Sequence, residues 1–301
     1  MDACLIALHV AAQPIHIGKY LGMEKPSFWS PEKLVEDLRR LVELGVKCVG
    51  LLQDPRMARR RYWSELFSLL KKEDIDLERL TMDLFYPAGE EYVREIAGTR
   101  KLVTLNISPE SGSYEVRRSH GRYYTNDELL KTVDLCHRYH ISITVFFMIG
   151  LAKESFETIE ETWKLWEELS RKDRKALDKG VFKDIEGYVP IAGPIMGHMF
   201  LLDPGSLAFD NPGRYGYRVF YNNVEEHVRA LAMPSWHLRM NYETELLNRD
   251  ALIDLIYKSS ERAIYLREKY QFLDPYDVFV YRLQLNIDKA VREIVDEIMS
   301  L

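Results

Sequence analysis

Two short runs concentrate the residues of this sequence that can do chemistry. Ser108-Pro109-Glu110-Ser111-Gly112-Ser113 sets a carboxylate among hydroxyls and a glycine. Such a turn can accept hydrogen bonds from an ammonium group or from ribose hydroxyls while its backbone lies close to a ligand. Phe147-Met148-Ile149-Gly150-Leu151-Ala152-Lys153-Glu154-Ser155 places Gly150 just past an apolar run, which permits the same close approach. Arg117 and Arg118 follow the first run and can grip a carboxylate through paired N–H donors. Taken singly, each feature has an equally good structural account: a Ser/Gly turn, a glycine at a strand end, a surface arginine pair.

The elements that must position these residues alternate from Ser30 onward. Ser30-Pro31-Glu32-Lys33 reads as a helix start with a capping serine and proline at the first helical position. Leu34, Leu38, Leu41 and Val42 give that helix an apolar face, and Gly45 ends it. Val46 to Leu52 reads as a short strand ending at Gln53-Asp54-Pro55-Arg56. Further strands are expected over Leu80 to Phe85, Lys101 to Ile107 and Ile141 to Ile149. Helices are expected over Tyr62 to Lys72, Gly89 to Ile96, Thr125 to Tyr139 and Ser155 to Leu169, the last with Trp163 and Trp166 inward. Apolar strands each followed by an amphipathic helix predict a parallel sheet covered by helices, with ligands bound beyond the strand C-termini. Past Gly180 the chain turns rich in proline and glycine, and from Glu225 to Leu301 its pattern is almost wholly helical.

The stretch from Leu102 to Trp166 resembles the latter half of a radical S-adenosylmethionine (radical SAM) barrel. Ser108-Pro109-Glu110-Ser111-Gly112-Ser113, Glu115-Val116-Arg117-Arg118, the basic-glycine turn around Gly121, Tyr124-Thr125-Asn126-Asp127-Glu128-Leu129, Phe147-Met148-Ile149-Gly150-Leu151 and an acidic helix occur in that family's order. Phe28 to Arg56 is similar to its first crossover helix and second strand. Leu202-Asp203-Pro204-Gly205-Ser206, Tyr215-Gly216-Tyr217 and Asn241-Tyr242-Glu243-Thr244 resemble the tail of the cobalamin-associated branch. The resemblance implies an S-adenosylmethionine site. Gln53 and Asp54 would meet the methionine amino group, and Ser108 and Glu110 the ribose and methionine. Met148 and Gly150, together with Ile191-Ala192-Gly193, would flank adenine. Ser111, Gly112 and Arg118 complete the candidate set.

Two departures matter. The family's turn Gly-Leu-Pro-Gly-Glu-Thr is here Gly150-Leu151-Ala152-Lys153-Glu154-Ser155, which loses a rigid turn and adds a cation. More seriously, radical SAM chemistry needs three thiolates spaced C-x-x-x-C-x-x-C to hold an iron–sulfur cluster with one open iron. That loop should fall near Asp2 to Gln13, where only Cys4 and His9 remain. Cys4, His9 and His16 are too irregularly spaced for a metal site, and a free cysteine on an apolar segment is the better reading. No metal site is expected. Leu5 to Val10 either replaces the family's first strand or leaves an open sheet edge, which is an association surface. Nothing in these residues resembles the branch's cobalamin-binding domain.

The expected architecture is α/β: a partial (β/α) TIM-like barrel of five to six parallel strands over residues 1–219, with 1–29 a degenerate cluster-loop region. A C-terminal helical extension covers 220–301. A net charge of −6 with interleaved signs gives no footprint for nucleic acid. No apolar run nears the roughly 20 residues of a membrane span, and three scattered cysteines fit a reducing compartment, so a cytoplasmic location is expected. Trp236, His237, Arg239, Asn241, Tyr242 and Glu243 form a polar-aromatic cluster that reads better as a packing corner than as a lid. The leading functional reading is a radical SAM-like protein that cannot bind the catalytic cluster but keeps an S-adenosylmethionine or nucleoside site, inactive as this chain alone. One alternative is an active cobalamin-dependent enzyme whose cluster loop and cobalamin domain come from a missing segment or partner chain. The other is a non-catalytic protein that self-associates through its open barrel edge.

Overall fold

The computed structural model describes residues 28–73, 75–99, 102–184, 202 and 204–299. The first helix, α1 (Pro31–Glu43), starts as its sequence dictates: the Ser30 side chain accepts the Lys33 N–H and Pro31 occupies the first turn. Then follow β1 (Cys48–Leu51), α2 (Arg60–Lys72), β2 (Arg79–Leu84), α3 (Glu90–Ala97), β3 (Leu102–Glu110), the short α4 (Tyr114–Ser119), α5 (Asn126–Arg138), β4 (Ser142–Phe147) and α6 (Phe156–Asp178). The α5 start is a full capping box, in which Thr125 accepts the Glu128 N–H while the Glu128 carboxylate accepts the Thr125 N–H.

The four strands pair in sequence order, β1-β2-β3-β4, all parallel. Parallel neighbours joined by helical crossovers in strict order are the winding of a (β/α) barrel rather than of a doubly wound sheet, so this is a partial barrel. The strand expected over Leu5–Val10, and Ile191-Ala192-Gly193, expected beside adenine, lie outside the described residues.

Burial alternates along each strand. Leu80, Met82 and Leu84, with Val103, Leu105, Ile107, Ile143, Val145 and Phe147, share one core with α1, α2, α3, α5 and α6. The opposite face is half-exposed and largely polar: Thr81, Asp83, Thr104, Asn106, Ser108 and Thr144. Helices therefore cover one face only among the described residues, and the polar face is the barrel's inner wall.

Two boundaries differ from expectation by three residues or more. Strand β3 continues through Glu110, because a bulge between Ile107 and Glu110 resets the register so that Glu110 pairs with Phe147. Helix α6 runs nine residues beyond Leu169, since its buried stripe continues through Ser170, Asp173 and Ala176, two of them polar.

The tail holds α7 (Leu207–Asp210), β5 (Tyr217–Val219), α8 (Val224–Leu231), β6 (Tyr242–Thr244), α9 (Arg249–Lys269) and α10 (Pro275–Met299). β5, from the turn-rich stretch, and β6, within the region expected to be helical, form a small antiparallel ribbon. Three-residue strands are too short to show alternation. Helix α9 docks on α6 through Trp163, whose indole N–H donates to Ser259 Oγ at 3.0 Å, and through Arg262 to Glu167. Among the described residues no helix is long and apolar enough to cross a membrane.

Candidate functional site

The C-terminal ends of β1 to β4 form one mouth, and Glu110 is its most unusual residue. Its backbone is left-handed (φ 69°) and its carboxylate is fully buried. A non-glycine residue held at positive φ costs about 1–3 kcal/mol and persists only where the surroundings enforce it. Here the Glu110 carbonyl accepts the Met148 N–H at 2.8 Å, which locks the bulge to β4. Arg122, from the turn before α5, donates from Nη2 to Glu110 Oε1 at 3.0 Å. Oε2 has no partner. Burial raises the Glu110 pKa and the Arg122 guanidinium opposes that rise. A buried carboxylate oxygen left open at a strand end can accept an ammonium or hydroxyl proton from a ligand. Ser108 on β3, two residues before it, and Met148, just past the end of β4, are both half-buried.

The other candidates are held by protein contacts. Asp54 is fully buried; it accepts from Arg56 Nε and Nη2 and from the Phe85 N–H at 3.0 Å, tying the end of β1 to the end of β2. Arg56 in turn donates to the Tyr86 and Pro87 carbonyls and lies 4.0 Å over the Tyr86 ring. Gln53 is exposed beside this knot. Ser111 Oγ lies 3.2 Å from Thr162 Oγ1 and accepts the Ser113 N–H. The glycine at 112 is required by α6, because a Cβ there would sit 2.4 Å from Thr162 Cα. Arg118 is exposed, whereas its neighbour Arg117 is fully buried and donates to the Ser111 and Tyr124 carbonyls.

Gly150 opens the second turn at φ 91°, and the space beside it is filled by the tail. Tyr242 of β6 donates its hydroxyl to the Gly150 carbonyl at 3.0 Å, and a Cβ at Gly150 would lie 2.3 Å from that oxygen. Tyr217 of β5 accepts the Ala152 N–H at 2.9 Å. Lys153, standing where the resembled pattern has glycine, takes the left-handed conformation itself (φ 65°), so the turn keeps its shape at a conformational cost. Glu154, fully buried, accepts the Gly150 N–H at 2.7 Å, and burial pushes its pKa up to about 8. The β5–β6 ribbon thus clamps this turn from outside.

Sequence reasoning did not reach Arg122, Glu154, Asp83 or Asn106. Asn106 Nδ2 donates to Asp83 Oδ1 at 3.1 Å on the polar wall, and burial raises the Asp83 pKa. The i, i+2 spacing of Thr81 with Asp83, and of Thr104, Asn106 and Ser108, was the available signal. Asn241 and Tyr242 of the polar-aromatic cluster are buried packing residues, with Asn241 donating to the Leu202 carbonyl at 3.1 Å.

The thiols described do not suit a three-thiolate cluster. Cys48 is exposed at the first residue of β1, the strand end opposite the mouth. Cys136 is fully buried in α5 within the apolar core, where burial raises its thiol pKa and disfavours the thiolate. Cys4, His9 and His16 lie outside the described residues. Among the described residues no three His, Cys, Asp or Glu side chains converge as metal ligands.

A family model described as the radical SAM superfamily matches residues 15–165. Two tRNA-2-methylthio-N(6)-dimethylallyladenosine synthases, from Geobacillus thermodenitrificans and Geobacillus kaustophilus, are each 26% identical over 149 residues, 46% of this chain and 28% of theirs. The chain thus spans under a third of the length of these relatives. Among solved structures it is similar to the cobalamin-dependent S-adenosylmethionine radical enzyme OxsB (TM-score 0.48, 12% identity, 86% of this chain and 42% of that one). It is also similar to the radical S-adenosylmethionine methyltransferase TsrM from Kitasatospora setae (TM-score 0.38, 17% identity, 56% and 30%). With the family model covering just over half of its residues and a parallel sheet wound in barrel order, the chain belongs to the radical SAM superfamily.

Proposed function

We propose that this chain binds S-adenosylmethionine, or a nucleoside built like it, at the mouth of its partial barrel, and that it cannot by itself hold the catalytic iron–sulfur cluster. The observation that carries the binding half is Glu110: a buried carboxylate at a strained, bulged strand end whose Oε2 is unpaired among the described residues. Ser108 and Met148 stand beside it, and Oε2 would accept the ligand's ammonium or a ribose hydroxyl. The missing half rests on chemistry: a cluster with one open iron takes three thiolates, and Cys48 and Cys136 stand where neither serves the mouth. A bound cluster would supply the electron that cleaves the sulfonium.

Calorimetric titration of the purified chain with S-adenosylmethionine tests the binding. One site per chain is expected, weakened about tenfold or more in Glu110→Gln, since a charge-assisted hydrogen bond contributes roughly 1.5–3 kcal/mol. Absence of heat at millimolar ligand, or an unchanged affinity in Glu110→Gln, would refute it.

A second reading is favoured by one fact: the chain spans only 28% of each curated relative. In that reading an upstream segment or separate polypeptide supplies the cysteines and the cobalamin domain, and the pair is an active enzyme. Mixing the chain with such a polypeptide under anaerobic, reducing conditions would then yield 5′-deoxyadenosine, which neither partner releases alone.

A further inference from the structure

Helix α10 is apolar on two faces. Val278, Leu285 and Val295 are buried. The charged residues that accompany them pair with α9: Arg282 with Glu268, Lys289 with Glu261, Arg292 with Asp250 and Asp254. That accounts for one face. The other exposes Tyr276, Phe279, Leu283, Ile287, Ile294 and Ile298, spaced three and four apart, with two valines between them. A helix with one core needs one apolar stripe, and a second stripe calls for a second partner.

We propose that this second stripe is where two copies of the chain pair. The stripe runs from Tyr276 to Ile298, about 33 Å of helix. Summed over the eight side chains it exposes roughly 800 Å² per protomer, which matches the ~800 Å² that each partner of a standard stable interface buries. Its spacing, in steps of three and four residues, keeps the stripe on one side of the helix, as in helices that pack side by side. Charge points to a like copy. The mid-helix residues beside the stripe, Gln284 and Asn286, are exposed and uncharged, while Arg282, Lys289 and Arg292 already face acids of α9. Two identical stripes therefore meet without like charges opposed at their centre, Asp277 and Glu297 standing only toward the two ends. Ile287 stands at the midpoint of the stripe, so under twofold symmetry it meets its own counterpart.

Sedimentation equilibrium of the whole chain tests this with two charge variants. The wild type is expected to be a dimer. Ile287→Glu and Ile287→Lys, at an exposed position, should each raise the dissociation constant at least about 100-fold while keeping the wild-type circular dichroism. Mixed one to one, the two variants should recover a heterodimer, because the opposite charges then face each other. Val228→Glu, on the exposed face of α8, should leave dimerisation unchanged. A wild type that is monomeric at about 100 µM would overturn the proposal, whether the stripe is then bare or covered by another part of the chain. So would a dimer indifferent to both Ile287 variants, which would move the interface elsewhere, such as to the sheet edge.

Discussion

Glu154 gives the most quantitative test of how the tail and the second turn are built. Its carboxyl group is fully buried, accepts the Gly150 N–H at 2.7 Å, and has its pKa pushed up to about 8 by burial, with the Gly150 and Leu151 amides opposing the rise. In the unfolded chain the same group titrates near its ordinary 4.5. Between these values the folded protein holds a proton that the unfolded chain has released, so stability falls as pH rises. The contribution is complete below about pH 4.5 and gone above about pH 8. One proton changes stability by about 1.4 kcal/mol per pH unit, which gives a loss of about 3 kcal/mol between pH 6 and pH 9. Glu154→Gln keeps the carbonyl acceptor for the Gly150 N–H and stays neutral at every pH, so it should lack this slope. Urea unfolding of both proteins at pH 6, 7, 8 and 9 measures the difference. It also cancels His120, whose pKa is lowered by burial and whose effect appears only below about pH 6.5. Parallel pH profiles for the two proteins would show that Glu154 is ionised in the fold and refute the reasoning.

The clamp itself can be tested by a double-mutant cycle. Gly150→Ala should cost about 3–5 kcal/mol, because its Cβ would meet the Tyr242 hydroxyl at 2.3 Å on a left-handed backbone. In a Tyr242→Phe background the nearest ring atom lies at 3.4 Å, so urea unfolding should show that cost reduced by about 1–3 kcal/mol; equal costs in both backgrounds would exclude the contact. Gly112→Ala should be as destabilising, with no side-chain truncation able to relieve it, since its neighbour is the Thr162 backbone. Lys153→Gly should stabilise the protein by roughly 0.5–1 kcal/mol, the relief of a left-handed lysine less the added freedom of the unfolded chain, and a lowered urea midpoint would contradict this.

The order of elements was legible because the strands are dense apolar runs and the helix starts carry their caps: Ser30, Thr125 with Glu128, and Ser155 all cap in the structure. The mouth was legible only in part. Ser108-Pro109-Glu110-Ser111-Gly112 announced a special turn, and Glu110 is strained and buried there. That Ser111 and Gly112 face Thr162, fifty residues onward, follows from how α6 packs back on the sheet, which no local pattern records. Tyr242 beneath Gly150 is likewise a contact across 92 residues. The polar inner wall was hidden by its own strands. β2 and β3 are apolar enough to read as buried on both sides, and only the alternation of Thr81 with Asp83 and Thr104 with Asn106 separates the two faces. The tail's ribbon escaped because its strands are three residues long.

Anaerobic reconstitution with iron and sulfide, followed by iron analysis and visible spectroscopy, addresses the central claim most directly. The account predicts that the 301-residue chain retains no stoichiometric iron, shows no cluster absorption, and behaves identically to a Cys4→Ala variant. A brown protein holding about four irons per chain, lost on Cys4→Ala, would contradict it.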